Sequence, residues 1–288
     1  MENFLRSLYQ ERASQPSTLG IIFIEKKDSH FYLTDTFDGI LFIITAEKEV
    51  DFFPKHYVFD NQKIALYILS NEKLEQWLLT GTNPQIVGWL YEGKIIFDRN
   101  DYISQLIRNL KDFPFHERKI RIGIEFARLI KTYNEGKMLY EESEYLDAYS
   151  QIIKSLHHLG RLALIEKGFH PEITVWNQVK QIDPEVYKIY EELVNSEEAL
   201  NKRLDLLFLA IEFFIHSRTE IGVSHILKVL EERKRWSIKQ ICEHPEMELY
   251  DTDIFILVEY LIDKGYLSVA LEESKGKGIF HRYYEKLL

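Results

Sequence analysis

The chain has 288 residues, of which 45% are hydrophobic and 28% are charged, and its formal net charge at pH 7 is −10. This length is enough for two or three packed domains, and the negative charge argues against broad electrostatic capture of nucleic acid or anionic membranes. Its one cysteine, Cys242, excludes an intramolecular disulfide and a cysteine-based zinc site. Without a signal-peptide pattern or an apolar run of roughly 20 residues, we expect a cytoplasmic protein with no membrane anchor.

The first 116 residues combine short apolar runs with helical patterns, which predicts an α+β domain. The predicted strands are Leu19–Glu25, Gly39–Thr45 and Ile64–Leu69, followed by a hairpin of Ile86–Trp89 and Lys94–Asp98 turned at Glu92-Gly93. The predicted helices are Asn3–Arg12, Glu72–Leu79 and Tyr102–Lys111. Ser70 or Asn71 is placed to cap the second of these helices.

From residue 117 to residue 218 the apolar residues follow a helical period throughout. The pair Asp183-Pro184 is a helix start, because aspartate caps the amide groups and proline is favoured in the first turn. The last predicted helix covers Glu198–His216. We expect four or five helices packed as an all-α bundle.

Residues 219–288 make a third pattern of three helices followed by two strands. The predicted elements are a helix over Ile221–Glu232, a short helix after Ser237, a helix over Asp251–Lys264 ended by Gly265, and strands over Tyr266–Leu271 and Ile279–Tyr284. This order is typical of a winged helix-turn-helix.

Two segments, Thr36–Leu41 and Gly93–Asp98, occur in the order and spacing of two strands of the DNA polymerase β type nucleotidyltransferases. Residues 18–115 resemble that domain, and Tyr145–Pro171 is similar to the substrate domain of aminoglycoside-type nucleotidyltransferases. The whole chain resembles bacterial nucleotidyltransferase-like proteins. The resemblance implies an α+β domain with a mixed sheet over residues 1–116, an all-α bundle over 117–218 and a winged helix-turn-helix over 219–288.

The resemblance also implies where metal-dependent chemistry would reside. Enzymes of this family hold two divalent ions on an Asp-x-Asp pair, because alternate residues of a strand share one face. Here Asp38 keeps the first position as a candidate metal ligand, whereas Ile40 takes the second. The Gly-Ser pair that approaches the phosphates is replaced within Phe23–Lys26, and Lys63–Leu69 contains no acid that would serve as the third ligand. We therefore expect no cofactor, with Mg²⁺ required only if the protein is active.

A second candidate site is the acidic segment after Tyr140. Glu141, Glu144 and Asp147 lie at intervals of three, which predicts one face of a single helix and suits an acidic pocket for a cationic substrate. In the resembling aminoglycoside enzymes the helical domain supplies a general base, and Glu144 is the candidate for that role. The alternative is a solvated acidic face.

The C-terminal pattern is acidic overall, with ten Lys or Arg against thirteen Asp or Glu over residues 219–288. The predicted recognition helix begins with Asp251-Thr252-Asp253, although base edges are usually read by basic or amide side chains. Candidate contacts to DNA phosphates remain on the wing at Lys275, Lys277 and Arg282. Contact with another protein, or a purely structural role, is the alternative for this domain.

Two classes of function stay open. One is a catalytically degenerate, nucleotidyltransferase-like protein that acts as a binding or regulatory module for an unknown protein or small molecule, without a membrane partner. The other is a magnesium-dependent nucleotidyltransferase acting on a small hydroxyl-bearing or cationic acceptor. A DNA-binding regulator is a further alternative that the acidic recognition helix disfavours. The resembling aminoglycoside enzymes dimerise, which implies a homodimer as a further alternative.

Overall fold

The structure is a computed structural model that describes residues 2–27, 31–276 and 278–287. Its contacts divide the chain into two compact units. The N-terminal unit comprises Met1–Pro114 with His170–Ile173, and the helical unit comprises Phe115–Phe169 with Thr174–Leu288. No helix within the described ranges has the length and apolar character to cross a membrane.

The N-terminal unit is a five-stranded mixed sheet with four α-helices in its described residues. Its strands are β1 (Thr18–Glu25), β2 (Gly39–Thr45), β3 (Phe52–Phe59), β4 (Gln62–Ser70) and β5 (Lys94–Asp98). Its helices are α1 (Glu2–Ser14), α2 (Asn71–Thr80), α3 (Gln85–Glu92) and α4 (Tyr102–Asp112). The order across the sheet is β3-β4-β2-β1-β5, with β2 parallel to β4 and the other pairs antiparallel. The predicted mixed-sheet α+β class is confirmed.

Strand β2 lies in the middle of this sheet and is buried along its whole length. Ile40, Phe42 and Ile44 belong to the apolar cluster that also contains residues of α2, α3 and α4. Leu41 and Ile43 belong to a second cluster, against which residues of α1 pack. Both faces of the strand are therefore core, which explains its continuous apolar sequence.

Two elements of the N-terminal unit differ from the sequence prediction. The segment predicted as the first strand of a hairpin is helix α3, in which Trp89 Nε1 donates a hydrogen bond of 2.7 Å to the carbonyl of Leu33. Gly88 allows this approach, because a Cβ there would lie 2.4 Å from a Leu33 methyl carbon. Strand β3 was not predicted, since it is an exposed edge strand that contains Pro54 and lacks a buried apolar face.

The helical unit contains the bundle and the C-terminal winged region. Its helices are α5 (Phe115–Glu141), α6 (Tyr145–Glu166), α7 (Val175–Ile182), α8 (Pro184–Asn195), α9 (Leu200–Leu230), α10 (Ile238–Cys242) and α11 (Asp253–Asp263). Its strands are β6 (Trp236–Ser237), β7 (Leu267–Glu273) and β8 (Phe280–Lys286), in the order β6-β8-β7. The predicted bundle and winged helix-turn-helix are confirmed, and the Asp183 side chain caps α8 as expected.

Helix α9 replaces two helices that the sequence predicts, over Glu198–His216 and Ile221–Glu232. The prediction of a break was wrong, because no proline lies in this stretch and the first glycine is Gly222, well inside the helix. Gly222 is needed for packing, since a Cβ there would lie 2.3 Å from Phe126 Cγ in α5. The bundle and the winged region therefore share one continuous helix.

A second close contact joins α5 to the winged region. Tyr250 is fully buried, and its hydroxyl forms a 2.8 Å hydrogen bond with Nδ1 of His225 in α9. A Cβ on Gly123 would lie only 1.9 Å from the same hydroxyl oxygen. Gly123 therefore leaves the space that Tyr250 needs to reach His225.

We expect Gly123→Ala to destabilise the helical unit by about 1 to 3 kcal/mol, because the new methyl group overlaps a buried phenol. Urea unfolding followed by circular dichroism measures this loss. The double variant with Tyr250→Phe lacks the clashing oxygen, so its total loss should be smaller than the sum of the two single losses. Additive losses would show that the Gly123–Tyr250 approach is not the cause.

Candidate functional site

Asp38, the candidate metal ligand, lies immediately before β2 and is held by the sheet. Its amide donates to the carbonyl of Lys63 at 2.8 Å, and its carbonyl accepts from the amide of Lys26 at 3.0 Å. The carboxylate oxygen Oδ2 accepts a further bond of 2.8 Å from the Lys63 amide. Asp38 thus extends the strand pairing at the entrance of β2, and its half-buried carboxylate has a structural partner.

The second position of the Asp-x-Asp pattern is occupied by a buried apolar side chain and cannot bind an ion. Ile40 is only 1% exposed, and it packs in the core between the sheet and the helices. On the opposite face, Phe23 covers Gly39, where a Cβ would lie 2.7 Å from the aromatic ring. No acidic side chain therefore projects from either face of β2.

Two other acids near the sheet, Asp98 and Asp35, also have structural partners. Asp98 accepts hydrogen bonds from the amides of Ile103 and Ser104 and from the Ser104 hydroxyl, at 2.7 to 3.1 Å, and so holds the start of α4. Asp35 accepts from the Gln85 side chain at 3.4 Å. Within the described ranges, no group of three His, Cys, Asp or Glu side chains is arranged to hold a metal ion.

The acidic segment of the helical unit is not one helix face, and that prediction was wrong. Glu141 ends α5, and Asp147 lies in the first turn of α6. Between them Ser143 adopts a left-handed conformation with φ of 67°, which breaks the helix. Glu144, the candidate general base, occupies the residue before α6, where it is exposed and makes no side-chain cap.

A cluster of charged residues in the helical unit lies elsewhere, around Glu125 of α5. This side chain is 1% exposed, and its oxygens lie 2.9 Å from Arg161 Nε and 2.9 Å from His158 Nδ1. Arg128 Nη1 lies 3.2 Å from the same carboxylate. One buried acid therefore joins α5 to two residues of α6.

Burial by itself raises the pKa of Glu125, but the charge of Arg161, the hydrogen bond from His158 and the charge of Arg128 outweigh it. The pKa of this carboxyl is consequently held well below its usual range. Burial and the neighbouring Arg161 lower the pKa of Arg121 to about 10. These opposing effects show a charge network whose members depend on one another.

Sequence reasoning did not find this cluster. The available signal was a charged residue at 125 within the apolar stripe of Ile122, Phe126 and Leu129, together with Arg128 one turn later. The partners in α6 lie 33 and 36 residues away, so their pairing depends on how the helices pack.

The first turn of the predicted recognition helix, α11, is bound to α5. The carboxylate of Asp253 lies 2.8 Å from Lys131 Nζ and 3.7 Å from Arg128 Nε. The exposed face of α11 carries an aromatic ring, Phe255, and an acid, Glu259. Neither feature matches the donor pattern that reads DNA bases.

The candidate phosphate contacts of the wing lie in three different situations. Arg282 forms a two-point ion pair with Glu259, with N–O distances of 3.0 and 3.1 Å. Lys275 is exposed in the turn between β7 and β8, and Lys277 lies outside the described residues. The structure therefore places one of the three cations against an acid of α11.

The chain is 45% identical over 284 residues to the uncharacterized protein YgxA of Bacillus subtilis (strain 168), covering 99% of this chain and 97% of that protein. The chain belongs to the YgxA-like family of nucleotidyltransferase-like proteins. The predicted family resemblance is thereby confirmed.

The YgxA-like assignment extends over all three regions. Family models match as nucleotidyltransferase-like over residues 1–118, as a YgxA-like substrate binding domain over 119–218 and as a helix-turn-helix domain over 224–286. A crystal structure of a nucleotidyltransferase-like protein from Exiguobacterium sibiricum 255-15 is similar over the full length of both chains, with 36% identity and a TM-score of 0.85. The Glu125 cluster thus lies within the segment that matches the substrate-binding model.

We expect Glu125→Gln to cost about 3 to 5 kcal/mol of stability, because it leaves buried arginines without their countercharge. Glu142→Gln, an exposed acid beyond the end of α5, is the matched control and should be nearly neutral. Urea unfolding at neutral pH compares the two variants.

The same cluster has a pH signature whose sign follows from the lowered pKa of Glu125. A carboxyl with a lowered pKa stabilises the fold above its unfolded pKa, and this contribution is lost as the pH falls through the acidic range. Wild type should therefore lose stability on acidification more steeply than Glu125→Gln. Parallel curves would contradict the charged state assigned to this carboxyl.

Proposed function

We propose that this protein is a binding or regulatory module built on a nucleotidyltransferase fold that no longer transfers nucleotidyl groups. The observation that carries the proposal is strand β2, whose seven residues are all buried and include no acid. Transfer of this kind depends on paired metal ions that neutralise the triphosphate and activate the acceptor hydroxyl. Asp38 alone, with an oxygen bonded to the Lys63 amide, does not fit a two-magnesium site.

The rate enhancement that is lost with the missing metal ligand is large enough to support an inactive protein. Removing one well-placed donor that stabilises transition-state charge typically costs roughly two to three orders of magnitude in rate. Here the second position of the metal pair is Ile40, in the apolar core. The segment at the end of β1 carries Phe23 and Ile24, both buried, where the resembling DNA polymerase β type nucleotidyltransferases have a Gly-Ser pair.

The surfaces of the helical unit favour a role in binding a small molecule or another protein. The helical unit includes the segment similar to substrate-binding domains, so a small-molecule ligand would be held there. The exposed face of α11, with the aromatic ring of Phe255, suits a protein partner that offers an apolar group. Because Asp253 is tied to α5 and residues 219–288 carry more acids than bases, recognition of a protein is favoured over recognition of DNA. We assign this role to the cytoplasm, in keeping with the single cysteine.

Calorimetry of ATP binding, with and without Mg²⁺, tests the catalytic part of the proposal. We expect no Mg²⁺-dependent binding by wild type and none by Asp38→Asn. The asparagine variant keeps an oxygen for the Lys63 amide but loses the charge, whereas Asp38→Ala also loses the bond and about 1 kcal/mol of stability. Tight Mg²⁺-dependent binding that Asp38→Asn abolishes would establish the enzymatic alternative, with Glu144 as the next residue to change.

A salt series of binding to random duplex DNA tests the DNA-binding alternative. We expect weak binding whose affinity depends little on salt, because residues 219–288 carry more acids than bases and would neutralise few phosphates. Lys275→Ala should leave this weak affinity unchanged. A steep loss of affinity with rising salt, at about one logarithmic unit of slope per phosphate contact, would show a true DNA interface.

A further inference from the structure

The outer face of α9 carries a continuous exposed stripe, opposite the face that packs in the bundle. The stripe residues follow one another at alternating intervals of four and three, and all six are exposed. They are Lys202, Leu206, Leu209, Phe213, His216 and Glu220. We call this set the outer stripe.

The middle of the outer stripe is apolar. Leu206, Leu209 and Phe213 are 64%, 66% and 67% exposed, although the inner face of α9 already supplies the core with Leu204 and Ile211. A surface helix normally has one apolar face and one polar face. A second apolar face indicates a surface that another molecule covers.

The spacing of the stripe identifies the kind of surface that fits it. Intervals of four and three repeat every seven residues, which is the pattern by which one helix packs along another. Helix α9 has 31 residues and continues beyond both ends of the stripe. The complementary surface is therefore a helix with the same repeat.

The charges at the ends of the stripe specify the partner and its direction. Lys202 stands at one end and Glu220 at the other, with the apolar residues between them. We propose that α9 pairs with α9 of a second copy of this chain, antiparallel about residue 211. Each Lys202 then faces Glu220 of the other copy, and each Leu209 faces Phe213, whereas a parallel pair would place like charges together.

The neighbours of the stripe are compatible with this pairing. Ala210, a small residue, lies next to the two-fold axis and allows the helices to approach. Asp205 is hydrogen-bonded to Tyr140 of α5. Burial, and secondly the charge of Glu212, raise the pKa of Tyr133, which also lies in α5. Both acids are thus engaged with the bundle beside the stripe.

The ion pair that Lys202 forms within its own chain competes only weakly with the pairing between chains. Lys202 lies 3.7 Å from Glu198 one turn earlier, but both side chains are exposed, and such pairs contribute little to stability. A single pair of helices makes a small interface, so we expect dissociation within the micromolar range. The isologous arrangement closes at two copies.

Sedimentation velocity over a wide range of concentrations tests the proposal on the full chain. We expect wild type to shift from monomer to dimer as concentration rises. Leu209→Glu should remain monomeric, because it places a charge in the apolar centre. Leu271→Glu, which changes a leucine of the wing that is 64% exposed, against 66% for Leu209, is the control and should dimerise like wild type.

Charge reversal tests the direction of the pairing. Lys202→Glu and Glu220→Lys should each weaken dimerisation several-fold, and the double variant should restore it, because both antiparallel pairs are rebuilt. Circular dichroism confirms that each variant is folded. A monomeric wild type, a dimer that Leu209→Glu leaves intact, or a double variant no tighter than the single ones would each overturn the proposal.

Discussion

Strand β2 is paired on both edges and covered on both faces, and the N-terminal unit is assembled around it. Its antiparallel partner β1 and its parallel partner β4 extend the same two apolar layers, and the helices of the unit pack against these layers. A strand in this position gains stability from every apolar side chain, and a carboxylate there would have to be buried with a countercharge. The apolar sequence that stabilises this strand also leaves no carboxylate along it.

Helix α5 has the corresponding place in the helical unit. Its acid Glu125 binds α6, its bases Arg128 and Lys131 bind the first turn of α11, and its Gly123 receives Tyr250. These contacts use three sides of one helix. The winged region is consequently built onto the bundle by specific polar contacts, one of which holds Asp253 in the first turn of α11.

Much of this architecture could be predicted from the sequence. Short apolar runs located β1, β2 and β4, because continuous burial leaves a continuous apolar pattern. Capping residues located the start of α2, where the Ser70 side chain accepts from the Lys73 amide, and the start of α8 at Asp183. Local signals of this kind need no knowledge of distant residues.

The sequence predictions were wrong or incomplete where contacts between distant residues determine the local structure. Helix α3 is apolar enough to be taken for a strand, and it is the packing of Leu33 on Gly88 that identifies it as a helix. The break before Glu144 depends on one left-handed residue, Ser143, within a strongly helical sequence. The Glu125 network joins residues more than thirty positions apart, so no local pattern contains it.

The continuity of α9 has a mechanical consequence. A helix of 31 residues is about 46 Å long at a rise of roughly 1.5 Å per residue, and it has no proline to act as a joint. Its first half lies in the bundle, while Val229 and Leu230 near its end are buried close to Trp236, whose indole donates to the Leu230 carbonyl. Because the helix is continuous, a rotation at one end is transmitted to the other end. The bundle and the winged region therefore rotate together.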